Sequence, residues 1–262
     1  QGQDRRVRPT LANAYDSRPR VAEFFAGIGL VRMALEEAGC RVVFANDISD
    51  KKLHLYEANF DAAPFIPCDI RELRGSDVPD AEIATASFPC TNLSLAGYRD
   101  GLEGADSNIL WKFVDILRQM ADRKPPVVML ENVPGFATSN GGGDLRDAIG
   151  ALNGLGYVCD VLALDARHFV PQSRLRVFVV GSLSPLCSAG DWTPNDHRPK
   201  WVSGFMGQNR DLSMQAARLP PLPDTSETLS DMTSSLPPRH ELWWDVRRLG
   251  AFLASLSDIQ AE

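Results

Sequence analysis

Short apolar runs alternate with amphipathic stretches from Arg20 to Ser182. This alternation is typical of repeated β–α units, in which a parallel sheet is covered by helices on both faces. We therefore predict an α/β fold with a mostly parallel, doubly wound sheet. The predicted strands are Val21 to Phe25, Val42 to Ala45, Ile83 to Phe88, Val127 to Glu131, Val158 to Leu164 and Val177 to Gly181.

Two of the intervening segments have helical periodicity, because their apolar residues recur every three or four positions. Gly39 closes the first helix at the position that favours a left-handed residue. The predicted buried faces are Val31, Ala34, Leu35 and Ala38 in the first helix and Leu110, Phe113, Val114 and Leu117 in the second.

After Gly181 the sequence is rich in Pro, Ser and Asp, with isolated tryptophans and little periodicity. We predict a loop-rich region there, followed by a last helix from about His240 to Ser257. The apolar side of that helix would contain Trp244, Leu249, Phe252, Leu253 and Leu256. The predicted parts are thus a polar tail over 1–19, a main domain over 20–182 and an extension over 183–262.

Composition narrows the class of protein. The 262 residues are 44% hydrophobic and 23% charged, and no apolar run approaches membrane-spanning length. The first 20 residues lack the apolar core of a signal peptide, and the five cysteines form no C-x-x-C pair. We expect a soluble cytoplasmic protein with no metal site, no disulfide framework and no membrane partner.

The net charge of −7 argues mildly against a nucleic-acid partner, unless the main basic surface lies elsewhere in the full enzyme.

A glycine turn follows the first predicted strand, in the segment from Phe25 to Leu30. Glycines at a strand-to-helix turn allow a ligand to approach the backbone and the amino end of the helix. Asp47 ends the second strand, where an acid can accept hydrogen bonds from a ribose, and Asp69 could meet an amino group of the same ligand. Together these residues favour a nucleoside cofactor. Arg32 occupies the position of the third dinucleotide-binding glycine, so a nicotinamide is disfavoured.

Cys90 lies in the segment Ser87 to Ser94, just after another predicted strand. Ligands of open α/β sheets bind outside the carboxyl ends of strands, so Cys90 would project into the cofactor crevice. The competing interpretation is a buried cysteine that acts as a small hydrophobe. Its position between a proline and a polar loop favours the functional interpretation.

Two further charged groups occur at predicted strand ends. Glu131 follows a strongly apolar strand, and a partly desolvated carboxyl at such a place can donate a proton or a hydrogen bond near neutral pH. Arg174 and Arg176 begin the last strand, where alternation would place both on one face as a site for an anionic group. The competing interpretations are a helix-capping glutamate and surface arginines on an edge strand.

In this order and spacing the segments resemble the cytosine-5 DNA methyltransferases. The resemblance covers about Arg20 to Ser182 and implies a Rossmann-like fold that binds S-adenosylmethionine. It implies that the nucleophile is Cys90, that Glu131 holds the base, and that Arg174 and Arg176 form the paired-arginine motif. The cofactor residues that it implies are Phe25, Gly27, Ile28, Gly29, Leu30, Asp47, Ile48, Asp69, Ile70 and Pro89.

The resemblance also implies a mechanism. The Cys90 thiolate would add to carbon 6 of cytosine, carbon 5 would take the methyl group, and loss of its proton would release the enzyme. Because these atoms are stacked in a duplex, the target base of double-stranded DNA must flip out. The loop from Thr91 to Asp106 would close over it.

The sequence departs from the family pattern in four places. Glu23 replaces the common Asp, Leu30 a frequent Gly, and Thr91 a common Gln. After Gly181 we find no target-recognition region and neither closing motif. We therefore expect one subunit of a split enzyme or a truncated chain, whose second polypeptide supplies those parts, in a bacterial restriction-modification or related system.

Three alternatives remain. A tRNA cytosine-5 methyltransferase could use the same active site, and a non-catalytic subunit could keep the fold, although Cys90, Glu131 and both arginines are intact. A dehydrogenase is disfavoured by Arg32 and by the Phe88-Pro89-Cys90 motif.

Overall fold

A computed structural model describes residues 16–60, 65–89, 109–184, 190–224, 227–237 and 240–256. Seven strands form one sheet in the order β3-β2-β1-β4-β5-β7-β6. The strands are β1 Arg20–Phe24, β2 Arg41–Asp47, β3 Phe65–Pro67, β4 Ile83–Ala86, β5 Val127–Asn132, β6 Val158–Asp165 and β7 Leu175–Ser182.

The first five strands are parallel to one another, and β7 is antiparallel to both β5 and β6. Because β5 and β6 both oppose β7, they run in the same direction. The carboxyl ends of β1, β2, β4, β5 and β6 therefore meet the amino end of β7 at one edge of the sheet, which we call the active edge. The predicted mostly parallel α/β sheet is confirmed.

Eight α-helices occur in the described residues, together with several short 3₁₀ turns. They are α1 Leu30–Glu37, α2 Asp50–Asn59, α3 Ile109–Met120, α4 Gly135–Thr138, α5 Gly143–Gly154, α6 Lys200–Gln208, α7 Leu229–Met232 and α8 Val246–Ser255. None of the helices in the described ranges is both long and apolar enough to cross a membrane.

The second predicted helix face is confirmed, because Leu110, Phe113, Val114 and Leu117 are all buried in α3. The first face is confirmed only in part, because Val31 and Leu35 are half-buried and Leu35 packs against the core. Helix α1 exposes Ala34 and Ala38 and buries Arg32, whose guanidinium lies 4.5 Å from the centre of the Phe60 ring. A long arginine stem with an aromatic partner can be buried where a pattern of apolar letters predicts exposure.

The region after Gly181 contains more regular structure than its composition predicts. Helix α6 buries Val202 and Met206, but its two glycines and its serine weaken the periodicity that would have indicated a helix. The last predicted helix is confirmed in type, as α8, and none of its residues is buried.

Residues 190–217 pack against β6 through backbone and side-chain bonds. Met214 forms a parallel bridge with Cys159, and the backbone N–H of Gln215 donates to the Cys159 carbonyl at 2.9 Å. Asp160 accepts hydrogen bonds from the Ala217 backbone N–H and from the guanidinium of Arg198. Both side chains of this ion pair are only 3% exposed.

Asp160→Asn should destabilise the fold strongly. Removal of one partner of a buried ion pair leaves the other charge uncompensated, which typically costs about 3–5 kcal/mol. The change would appear as a lower midpoint of urea unfolding. Arg118→Met, which removes the half-exposed Arg118–Asp115 pair, is the matched control and should change the midpoint little. Equal effects of the two variants would show that Asp160 is not a structural anchor.

Candidate active site

The glycine turn joins β1 to α1 and has three left-handed residues. Phe25, Gly27 and Gly29 have φ angles of 58°, 60° and 89°. A Cβ atom at Gly29 would lie 2.2 Å from the Phe60 ring, so both the backbone conformation and the space require glycine there. The turn brings the amino end of α1 to the active edge.

Asp47 is buried at the end of β2 and touches this turn directly. Its Oδ2 accepts a hydrogen bond from the Gly27 backbone N–H at 3.0 Å, and its Oδ1 accepts one from the Ser49 N–H at 3.0 Å. Lys52 Nζ lies 2.9 Å from Oδ2 and 3.2 Å from Oδ1. The carboxylate that the sequence assigns to a ribose is thus already held by a lysine.

Exposed apolar side chains occur beside Asp47 in the sequence and in the glycine turn that it contacts. Ile48 is 66% exposed, and Ile28 and Leu30 of the glycine turn are also exposed. Exposed isoleucines and a leucine next to a buried acid form the kind of mixed surface that binds a nucleoside.

Asp69 precedes a 3₁₀ turn at Ile70–Glu72 and caps it by accepting from the Arg71 backbone N–H at 2.9 Å. The Arg71 guanidinium also bonds this carboxylate and lowers its pKa. Ile70 is buried in the core. The Asn46 amide donates to the carbonyls of Ile66 and Cys68, which fixes this segment beside β2.

Glu131 and Arg176 form an ion pair across the sheet. Arg176 Nε lies 3.0 Å from Glu131 Oε1, and both side chains are mostly buried. The antiparallel register pairs Glu131 with Phe178 and Asn132 with Val177, which places Arg176 beside the end of β5. The structure therefore brings together two of the four predicted catalytic residues.

Arg174 lies just before β7 rather than in it, and its side chain is exposed. Its backbone N–H donates to Asp165 Oδ1 at 2.8 Å, which fixes the approach to the strand. Because the strand begins only at Leu175, the strand alternation that was expected to place Arg174 and Arg176 on one face does not include Arg174. The two arginines differ in environment, because only Arg176 is held by Glu131.

Asn132 positions the segment that leads to Cys90, a role that we did not assign from the sequence. Its buried amide donates to the Phe88 carbonyl at 2.9 Å, and its oxygen accepts from the Val133 backbone N–H at 2.8 Å. Phe88 packs edge-on against Phe136, with ring centres 5.4 Å apart. Pro89 is exposed at the end of this segment. Cys90 and the predicted closing loop over 91–106 lie outside the described residues.

Lys52 is the second residue that sequence reasoning missed. Its position five residues after Asp47 is a usable signal, because α2 begins at Asp50 and its first turn faces the end of β2. Among the described residues, no group of three or more His, Cys, Asp or Glu could hold a metal ion.

Comparison with known proteins identifies the family. The sequence model of the C-5 cytosine-specific DNA methylases matches residues 19–242, which is most of the chain. The chain belongs to this family. The match extends beyond Ser182, where the resemblance deduced from the sequence ended.

The curated relatives of this methylase chain are type II methyltransferases by name. The type II methyltransferase M.MspI of Moraxella sp shares 35% identity over 66% of this chain and 40% of its own length. The type II methyltransferase M.HhaI of Haemophilus parahaemolyticus shares 33% over 62% of this chain and 48% of its own. The chain thus spans half or less of these relatives.

Solved structures support the methyltransferase fold. The S. pombe Dnmt2 methyltransferase aligns with a TM-score of 0.51 and 26% identity over 63% of this chain and 50% of that chain. A Spodoptera frugiperda DNMT2 mutant aligns with a TM-score of 0.55 over 78% of this chain and 57% of that one. Because this second structure is only 22% identical in sequence, its similarity shows the fold alone.

Asn132→Ala should destabilise the methylase by about 1–3 kcal/mol, because the Phe88 carbonyl and the Val133 N–H would lose a buried partner. Urea unfolding measures the change. Asn59→Ala, which removes a bond on the exposed face of α2, is the control and should have a small effect. If both variants unfold like the parent chain, Asn132 does not fix the Cys90 segment.

Proposed function

We propose that this methylase transfers a methyl group from S-adenosylmethionine to carbon 5 of cytosine in DNA, through a covalent adduct of Cys90. The observation that carries the proposal is the active edge. There the Glu131–Arg176 pair lies beside the Phe88–Pro89 segment, which Asn132 ties to the end of β5 and which leads directly to Cys90. The glycine turn opens onto the same edge.

The described residues fit a nucleoside cofactor. The positive φ angles of Gly27 and Gly29 open the backbone of the turn, with Phe25 at its start. Asp47 offers two carboxylate oxygens to ribose hydroxyls, and the exposed Ile48 offers an apolar surface to a purine. Asp69 can accept from an exocyclic amine, with the buried Ile70 supporting it. Gly27, Ile28, Gly29, Leu30 and Pro89 complete the proposed set, and the cofactor supplies an electrophilic methyl group on a sulfonium.

In the proposed reaction the Cys90 thiolate adds to carbon 6, which makes carbon 5 nucleophilic enough to accept the methyl group. The Glu131 carboxylate accepts from the exocyclic amine. Once addition at carbon 6 has drawn a proton from solvent onto ring nitrogen 3, the carboxylate accepts from that N–H as well, and the proton returns to solvent when the ring is restored. Arg176 fixes the direction of the Glu131 carboxyl. A base then removes the carbon 5 proton, and the electron pair of that C–H bond expels the Cys90 thiolate and restores the ring.

Arg174 suits a different task. Its exposed guanidinium lies at the same edge, so we assign it to a phosphate of the DNA strand that carries the flipped base. A phosphate contact positions the strand without reading its sequence.

DNA is favoured over tRNA as the substrate, because the family to which the chain belongs is that of the C-5 cytosine-specific DNA methylases. We propose that base recognition comes from a part of the enzyme beyond these residues, on the same chain or on a second polypeptide. The main basic surface would belong to that part, which accommodates the net charge of −7.

Cys90→Ser should abolish covalent trapping of a 5-fluorocytosine oligonucleotide, since fluorine at carbon 5 blocks release of the thiolate. A target opposite a mismatched base lowers the energy needed for extrusion and reduces dependence on a recognition region. The adduct is detected on a denaturing gel with S-adenosylmethionine present. Cys68→Ser, a half-buried cysteine of the same chain, is the control and should still trap. Trapping by Cys90→Ser would exclude this residue as the nucleophile.

Asp47→Ala and Lys52→Met should change cofactor affinity in opposite directions. Loss of a charged hydrogen-bond acceptor costs about 1.5–3 kcal/mol, which corresponds to roughly ten- to a hundredfold weaker binding. Removal of the lysine that holds the carboxylate should instead strengthen binding several-fold. Calorimetry with S-adenosylmethionine measures both. Unchanged affinity in Asp47→Ala would remove this acid from the site.

A further inference from the structure

A buried acid lies beneath the glycine turn. Glu23 is on β1 with 1% exposure, and neither of its carboxylate oxygens has a hydrogen-bond partner. Burial is the main cause that raises its pKa to about 7. A buried acid without partners is expensive in its ionised form, so the neutral acid is the favoured state in the fold.

Thr85 of β4 is the register partner of Glu23. In a parallel pair such neighbours project from the same face of the sheet. The Thr85 hydroxyl is also buried and without a partner. Two unsatisfied polar side chains are therefore side by side beneath α1.

The charged and titratable neighbours of Glu23 come from both helices that cover this face. On α1 they are Arg32 and Glu36, and on α2 the neighbour is Tyr56. The Arg32 backbone N–H, the Arg32 charge and the Tyr56 hydroxyl are near enough to lower the pKa of Glu23, although neither donor completes a hydrogen bond to it, and the Glu36 charge raises the pKa. The Arg32 guanidinium is itself engaged by Glu36 at 2.9 Å.

The amino end of α1 has no cap of its own. Its N-cap residue is Gly29, and no acid occurs in its first turn. The first hydrogen bond of the helix runs from the Met33 N–H to the Gly29 carbonyl. The three preceding N–H groups, including that of Arg32, therefore have no acceptor within the helix. Such groups normally bond an N-cap side chain. The contact of Gly29 with Phe60 excludes any side chain at that position.

We propose that Glu23 is a positioning residue that caps α1 from the strand below as a neutral acid. Its carbonyl oxygen faces the Arg32 N–H, and its proton is directed toward the Thr85 hydroxyl. This arrangement gives α1 the cap that Gly29 cannot carry, and it holds the glycine turn in the shape that receives the cofactor. The part of the inference that concerns the cofactor rests on the proposed function.

The sign of the pH dependence follows from the raised pKa. An acid near 4.5 in the unfolded chain and about 7 in the fold stabilises the fold fully below pH 4.5. That stabilisation is lost as the pH rises to about 7. Glu23→Gln mimics the neutral acid, because its amide has one acceptor and one donor group at the same places.

The first measurement is urea unfolding of the cofactor-free chain between pH 5 and pH 8. Relative to Glu23→Gln, the unfolding equilibrium constant of the parent should increase by up to about two orders of magnitude across this range. Thr85→Val removes the acceptor for the proton, so it should shift this loss of stability to lower pH. Parallel pH profiles of the parent and Glu23→Gln would overturn the proposal. So would a Thr85→Val profile identical to that of the parent.

The second measurement is hydrogen exchange at the Arg32 amide, expressed as a protection factor at pH 6. Glu23→Gln should keep the protection, and Glu23→Ala should lower it at least tenfold. Calorimetry with S-adenosylmethionine should give Glu23→Gln an affinity within about twofold of the parent and Glu23→Ala a tenfold weaker one. Equal protection in Glu23→Ala refutes the cap. A parent chain that does not bind the cofactor contradicts the proposed function instead, because the exchange and unfolding data do not depend on it.

Discussion

The antiparallel insertion of β7 between β5 and β6 is the constraint on which the candidate site depends. The parallel strands β2 and β5 deliver Asp47, Glu131 and Asn132 to the active edge at their carboxyl ends. Since β7 enters in the opposite direction, its first residues begin where Glu131 ends, and Arg176 reaches the Glu131 carboxylate at 3.0 Å. Reversal of this one strand thus places Arg176 at the edge where β5 delivers Glu131.

The acids of this edge are paired within the chain. Asp47 is held by Lys52, Asp69 by Arg71 and Glu131 by Arg176. In each pair the acid is less exposed than a free surface carboxylate, and for Asp47 and Asp69 the cation is the more exposed partner. A ligand that binds Asp47 or Asp69 must therefore displace an exposed lysine or arginine rather than enter an unneutralised pocket. Net charge alone, −7 for the chain, says little about such a site.

The sequence predicts those parts of the fold and site that local pattern determines. Six of the seven strands, the glycine turn and Glu131 at a strand end follow from runs of apolar residues and from the position of glycines, whereas the three-residue strand β3 was not predicted. The burial of Arg32 was not predictable, because it depends on Phe60, which follows the last residue of α2. Asn132 donates a hydrogen bond to the Phe88 carbonyl, 44 residues away in sequence. The glycines of α6 interrupt the apolar periodicity that would have predicted a helix. These features depend on contacts between distant segments, which no periodicity encodes.

The buried pair of Arg198 and Asp160 limits where the polypeptide of such an enzyme can be divided. Asp160 is in the sheet, whereas Arg198 follows the last strand by 16 residues and bonds the Ala217 carbonyl as well. A break between Ser182 and Arg198 would leave each fragment with a desolvated charge that its partner must neutralise before either is stable. A break after Leu219 would leave the pair intact. In natural or engineered two-chain forms, the tolerated junction should therefore lie downstream of this point, where the chain leaves the edge of β6.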